Sequence, residues 1–160
     1  MNPSIGEHVL AYHGYSTSKH FFDFLKTIQR PVIVYGSDED GRAGNLVFKK
    51  KSEKSFLEDL SSSRYVVCSG GNSLISEALF YGKPLVLFPI KNAFEQFLNC
   101  HYVEKMGYGI YFEKFHIEKG TMERFEDNLD HYRSDIRKGQ FCGNEEVFSL
   151  IDRFVIDKRI

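Results

Sequence analysis

Residues 65–89 read Tyr65-Val66-Val67-Cys68-Ser69-Gly70-Gly71-Asn72-Ser73-Leu74-Ile75-Ser76-Glu77-Ala78-Leu79-Phe80-Tyr81-Gly82-Lys83-Pro84-Leu85-Val86-Leu87-Phe88-Pro89. The first four are apolar without alternation, which is the signature of a strand covered on both faces of a parallel sheet. Leu74, Ile75, Ala78 and Leu79 recur at helical spacing after a Gly-Gly turn. Gly82 is placed to stop that helix and Pro84 lies just beyond it. Leu85 to Phe88 is a second apolar strand. The stretch is one strand-helix-strand unit, and such units impose a parallel α/β layer.

The same alternation runs outward in both directions. Upstream, a strand over 8–13 precedes a helix with Phe21, Phe24, Leu25 and Ile28 inward, and Pro31 precedes the strand Val32–Tyr35. A polar turn over 37–44 leads to a short third strand, Leu46–Phe48, and then to a helix over 52–63 with Phe56, Leu57 and Leu60 inward. Downstream, a helix over 93–106 carries Phe94, Phe97, Leu98, His101 and Tyr102 as its apolar stripe, which assigns His101 to the core. Gly109 to Phe112 forms the last strand. Met122, Phe125, Leu129, Tyr132 and Ile136 mark one further helix, and Val147, Leu150, Ile151, Phe154 and Val155 mark another behind an Asn144 cap. These patterns predict a single domain over residues 1–160, a Rossmann-like, doubly wound parallel sheet of about six strands.

Composition narrows the function classes. The 160 residues carry 21 basic and 22 acidic side chains, a net charge of -1, so no global field exists to recruit nucleic acid. The 3 cysteines, Cys68, Cys100 and Cys142, match neither a disulfide framework nor a metal-ligand spacing, and read as buried free thiols in a reducing, cytoplasmic setting. No apolar run reaches membrane-spanning length. The direct opening into a strand suggests either a truncated chain or a natural half-enzyme.

In this fold class ligands sit at the carboxyl ends of the strands. There, Ser69-Gly70-Gly71-Asn72-Ser73 leads into a helix whose first N–H groups and dipole favour an anion. Adjacent glycines let a backbone approach that anion closely. Glu77 follows Ser73 by one helical turn on the same face, where a carboxylate can accept from a ribose diol. Asp38-Glu39-Asp40 has a metal-binding form, but beside Gly41 it reads as turn chemistry. Lys49-Lys50-Lys51 with Lys54 reads as a solvated face.

The segment Ser69 to Leu79, with Gly82-Lys83-Pro84-Leu85-Val86 and Phe88-Pro89, resembles the donor-site region of two-lobed (GT-B) glycosyltransferases. It is most similar to enzymes like the peptidoglycan N-acetylglucosaminyltransferase, a family 28-like group. Phe94-Glu95-Gln96-Phe97-Leu98-Asn99 and Tyr102 to Gly109 extend the resemblance, which covers about residues 60–112. It implies the C-terminal, donor-binding lobe of a GT-B fold, with a UDP-sugar donor, an N-acetylhexosamine by preference, and no cofactor or metal. Ser69, Gly70, Gly71, Asn72 and Ser73 would meet the diphosphate, together with Gly14 and Ser16 of a shortened first loop. Glu77 would hold the ribose, Lys51, Ser52 and Phe56 would border the base, and Glu95 and Gln96 would bind the donor sugar. The resemblance also implies a partner, an N-terminal acceptor-binding lobe or separate subunit. That lobe would carry the general base and any peripheral membrane contact, and the helix within residues 141–160 would pack on it. A non-catalytic donor-binding subunit, half of a sugar-nucleotide epimerase and a phosphate-binding regulator fit the same residues.

Overall fold

The computed structural model describes residues 2–12, 14, 19–37, 40–50, 52–115 and 117–156. Within them the chain alternates strands β1 (Val9–Tyr12), β2 (Val32–Tyr35), β3 (Gly41–Ala43), β4 (Leu46–Phe48), β5 (Val66–Cys68), β6 (Leu85–Leu87) and β7 (Gly109–Tyr111) with helices. The helices are α1 (Lys19–Leu25), α2 (Glu53–Ser62), α3 (Asn72–Phe80), α4 (Phe94–Lys105), α5 (Thr121–Asp127), α6 (Leu129–Ile136) and α7 (Asn144–Ile156). The strands make one sheet in the order β3-β4-β2-β1-β5-β6-β7, parallel except for the β3–β4 pair. The chain winds outward from β1 to one side and restarts at β5 on the other, so the switch point lies between β1 and β5.

Side chains alternate across the sheet and divide the core in two. Val9, Ala11, Val32, Val34, Val67 and Val86 pack with Phe21, Phe24 and Leu25 of α1 and with Phe125 and Leu129. Leu10, Val66, Cys68, Leu85 and Leu87 pack on the other side with Leu60 of α2, Ile75 and Leu79 of α3, and Cys100 and Val103 of α4. Gly82 has φ +69° and ends α3 as its sequence position predicts. Lys83 beside it is only 2% exposed and donates to the carbonyls of Ser4 and Ser63, fastening the N-terminal segment to this end of the sheet. Burial, and then the charge of Arg133, pushes its amine down to about 8.

Five expectations change. The sheet has seven strands, because residues expected to form only a turn supply β3, an exposed antiparallel edge. Backbone pairing alone defines that strand, so no apolar pattern announces it. The helix expected across 122–136 breaks at Asn128, whose side chain donates to the carbonyl of Arg124 (2.7 Å). Asn144 opens α7 as a helical residue, and the carbonyl of Gly143 accepts the first helical bond from Val147 (3.0 Å). Cys142 is exposed, whereas Cys68 and Cys100 are buried as expected.

The largest change concerns α4. Its inward stripe is Gln96, Asn99, Cys100 and Val103, at helical spacing, while Phe94 (75% exposed), Phe97, Leu98, His101 and Tyr102 face outward. Two of the four inward residues are polar, and this hides the contact face from an apolar periodicity count. Both are satisfied: the Ile90 N–H donates to Gln96 Oε1 (3.1 Å), and Asn99 Nδ2 donates to the carbonyl of Gly70 (2.9 Å). Close approach makes this possible. A Cβ on Gly70 would lie 2.3 Å from the Gln96 carbonyl oxygen and 2.7 Å from Cys100 Sγ, so only glycine fits.

Candidate functional site

At the carboxyl ends of β1, β2 and β5, next to the switch point, a cavity of about 430 Å³ opens between the first turns of α2 and α3. It is lined by Tyr12, Tyr35, Ser52, Glu53, Phe56, Cys68, Ser69, Gly71, Asn72, Ser73, Leu74 and Glu77. Each element delivers its residues for a local reason. Tyr12 and Tyr35 are the last residues of β1 and β2, and Cys68 is the last of β5. The turn after Cys68 releases α3 directly into the cavity wall. Ser52 and Glu53 stand at the start of α2, with Phe56 one turn later.

Helix α3 begins at Gly71 (φ -69°, ψ 128°) without a side-chain cap. Its first N–H groups therefore keep their hydrogen-bonding capacity for an external acceptor, and the helix dipole adds partial positive charge there. A Cβ on Gly71 would meet nothing within 4 Å, so this backbone is open to approach. Glu77 projects from the next turn of the same helix. Partial burial, and then the charge of Glu53, raises its carboxyl above the usual range. The aromatic wall opposite is ordered: the Phe56 ring meets Tyr35 edge-on at 5.2 Å and Tyr12 at 6.0 Å. Among the described lining residues no side chain is basic. The anion-binding capacity of the cavity lies in the backbone N–H groups at the start of α3, and its end at Glu53 and Glu77 is acidic.

The structure brings seven of the expected residues around this cavity: Ser52, Phe56, Ser69, Gly71, Asn72, Ser73 and Glu77. Gly70 packs against α4 instead of lining it. Glu95 and Gln96 lie in the first turn of α4, Glu95 exposed and Gln96 bonded to the loop after β6. Gly14 follows β1, with nothing within 4 Å of a Cβ built on it. Ser16, Lys51 and the Asp38-Glu39 pair lie outside the described residues. Among the described residues, no group of three His, Cys, Asp or Glu side chains could hold a metal ion, and no helix is long and apolar enough to cross a membrane. Five lining residues were missing from the expectation: Tyr12, Tyr35, Glu53, Cys68 and Leu74. The tyrosines could have been found as strand-end residues beside the switch point, and Glu53 as a first-turn residue of α2.

With that geometry in place, comparison with known proteins decides the family. The model of glycosyl transferase family 1 matches residues 1–130. The chain belongs to that family. A glycosyltransferase of Methanosarcina acetivorans, itself uncharacterized, is 43% identical over 58 residues, which are 34% of this chain and 15% of that protein. The glycotransferase of kitacinnamycin superposes over 94% of this chain and 43% of its own, with a TM-score of 0.64 at 17% identity. The glycosyltransferase SnogD of Streptomyces nogalater superposes over 84% and 40%, with a TM-score of 0.61 at 14% identity. Os79 of O. sativa, solved in complex with UDP, superposes over 82% and 35%, with a TM-score of 0.63 at 18% identity. The chain thus has the α/β fold of one GT-B lobe, and it spans less than half the length of these structures.

Proposed function

We propose that this family 1 chain is the donor-binding lobe of a glycosyltransferase, moving an N-acetylhexosamine from its UDP-sugar to an acceptor held by a second lobe. The observation that carries this reading is the uncapped start of α3 opening into a cavity that also receives Glu77 and an aromatic wall. In this reading the diphosphate lies on Ser69, Gly71, Asn72 and Ser73, with Gly14 and Ser16 approaching from the first loop. Gly70 supports that turn from behind through α4. The Glu77 carboxylate accepts from the ribose hydroxyls, and Ser52, Phe56 and Lys51 border the base. Glu95 and Gln96 reach the donor sugar from the first turn of α4. The crystallised UDP complex of Os79, a protein of the same fold, agrees with this choice of nucleotide.

Catalysis then rests on holding the donor in place and on backbone donors that meet the charge developing on the departing diphosphate. The reading needs no metal ion. The nucleophile and its base belong to the second lobe, in the same polypeptide or in a partner subunit. Residues 1–160 form one unit, and the surface for the second lobe is supplied by the outward apolar side chains of α4 and by α7. On α7, Val147, Phe148, Leu150, Ile151, Phe154 and Val155 are all exposed.

Thermal unfolding of the chain with UDP, GDP, ADP and dTDP tests this reading. At one hundred times its dissociation constant a ligand stabilises the fold by about 2.7 kcal/mol. UDP is expected to give the largest shift without added metal. Glu77→Ala should weaken UDP binding by about 1.5–3 kcal/mol, the range for hydrogen bonds to a charged group. No shift with millimolar UDP would refute the donor assignment.

A further inference from the structure

The basic cluster at 49–51, read from sequence as a solvated face, contains a committed residue. Lys49 Nζ lies 2.6 Å from Asp59 Oδ2, and the Tyr35 hydroxyl donates to the same oxygen at 2.7 Å. His8 Nε2 contacts the Asp59 carbonyl oxygen at 2.9 Å. Asp59 is therefore held from the end of β2, from the residue after β4 and from the residue before β1. It belongs to α2, three positions after Phe56, so the two side chains share a helix face. Tyr35 closes the loop: its ring is 1% exposed, its edge lines the cavity, and it meets Phe56 at 5.2 Å and 86°.

We propose that Tyr35, Asp59 and Lys49 are positioning residues that fix the Phe56 ring as the wall of the nucleobase compartment and thereby set how much the base contributes to donor affinity. The inference rests on the donor reading above. A buried phenol bonded to the Asp59 carboxylate, with the Ser55 side chain as its second neighbour, is held in an orientation that presents its ring as an edge-on stop for Phe56. Asp59 couples this stop to the helix that carries Phe56, so ring and backbone cannot shift independently. Burial first, and then the Asp59 hydrogen bond, pushes the Tyr35 hydroxyl up to about 12, so the bond persists throughout the neutral range.

The test is a double-mutant cycle on the 160-residue chain, with the affinities of UDP and of ribose 5-phosphate, which lacks a base, measured by competition. Phe56→Ala should lower UDP affinity about tenfold, within what base–aromatic stacking contributes, and leave ribose 5-phosphate unchanged. Tyr35→Phe, nearly isosteric, should lower UDP affinity about threefold in the wild-type background and have no further effect in Phe56→Ala, as residues acting through one another do. Asp59→Ala should behave like Tyr35→Phe, whereas Asp59→Asn, which keeps an acceptor for the phenol, should recover UDP affinity. Equal losses for UDP and ribose 5-phosphate in Tyr35→Phe, or additive losses in the double variant, would overturn the network's role. Normal UDP binding unaffected by Phe56→Ala would overturn it while leaving the donor reading standing. Failure of the wild-type chain to bind UDP removes the donor reading itself.

Discussion

Helices α3 and α4 leave the sheet from neighbouring strands and pack on the same side of it, yet they choose their buried faces by different rules. On α3 the apolar side chains Ile75, Ala78 and Leu79 face the sheet, and the polar Asn72, Ser73 and Glu77 are left for the cavity. On α4 the inward stripe mixes Gln96 and Asn99 with Cys100 and Val103, and most of the large apolar side chains face outward. Hydrophobicity alone orients α3. What orients α4 is the bare backbone of Gly70, which lets the helix come close enough for two amide side chains to bond loop and turn. A helix with a strong apolar stripe can thus carry that stripe for a surface other than its own core.

The largest test of this difference is at the glycine pair. Gly70→Val has no space against the Gln96 carbonyl and should destabilise the chain by about 3 kcal/mol, the upper end for overpacking. Gly71→Ala, one residue away in open space, should cost at most about 1 kcal/mol in denaturant titrations, the loss expected at a helix N-cap. Equal effects at both positions would mean that the Gly70 contact does not orient α4. Next in size is Asn99→Ala, which leaves the Gly70 carbonyl without its donor and should cost about 1–2 kcal/mol. A neutral result would remove the polar tie from the account of α4.

Smaller still is the effect of Phe94→Ser with Phe97→Ser. On the chain alone Phe94→Ser should alter stability by no more than about 0.5 kcal/mol, and Phe97→Ser, whose ring meets Tyr111 edge-on at 5.9 Å, should cost about 1 kcal/mol. For the second lobe proposed above, loss of association measured by analytical ultracentrifugation is the expected result, and unchanged association would assign the surface elsewhere. The finest test is electrostatic. Burial and Glu53 raise the Glu77 carboxyl, and the proposed ribose contact needs its charged form, so UDP affinity should fall on acidification earlier than for an ordinary glutamate. Glu53→Gln removes the neighbouring negative charge. It should move that fall to lower pH, whereas a move to higher pH would contradict the pairing.

How much was legible follows from the same physics. The uninterrupted apolar runs at 9–12, 32–35, 66–68 and 85–87 announced the central parallel strands, and burial on both faces leaves few other readings. The turn at Ser69 to Ser73 and the turn-later Glu77 were legible because a helix start and its periodicity are local properties. Strand β3 was not, since edge pairing needs no side-chain pattern. The facing of α4 was hidden because it depends on a contact between residues 70 and 96, far apart in sequence. Tyr35 and Asp59 carry no motif. Their relation exists only once β2 and α2 lie side by side.

The distribution of thiols makes the chain its own reporter. Cys68 and Cys100 are enclosed in the core and burial pushes both thiols up, so neither offers a thiolate to a labelling reagent while the fold is intact. Cys142 is exposed and stands two residues before α7. A maleimide dye added to the native protein should therefore attach at a single position without prior mutagenesis. Its emission would report in real time whether the final helix is bathed in water or has met another protein surface.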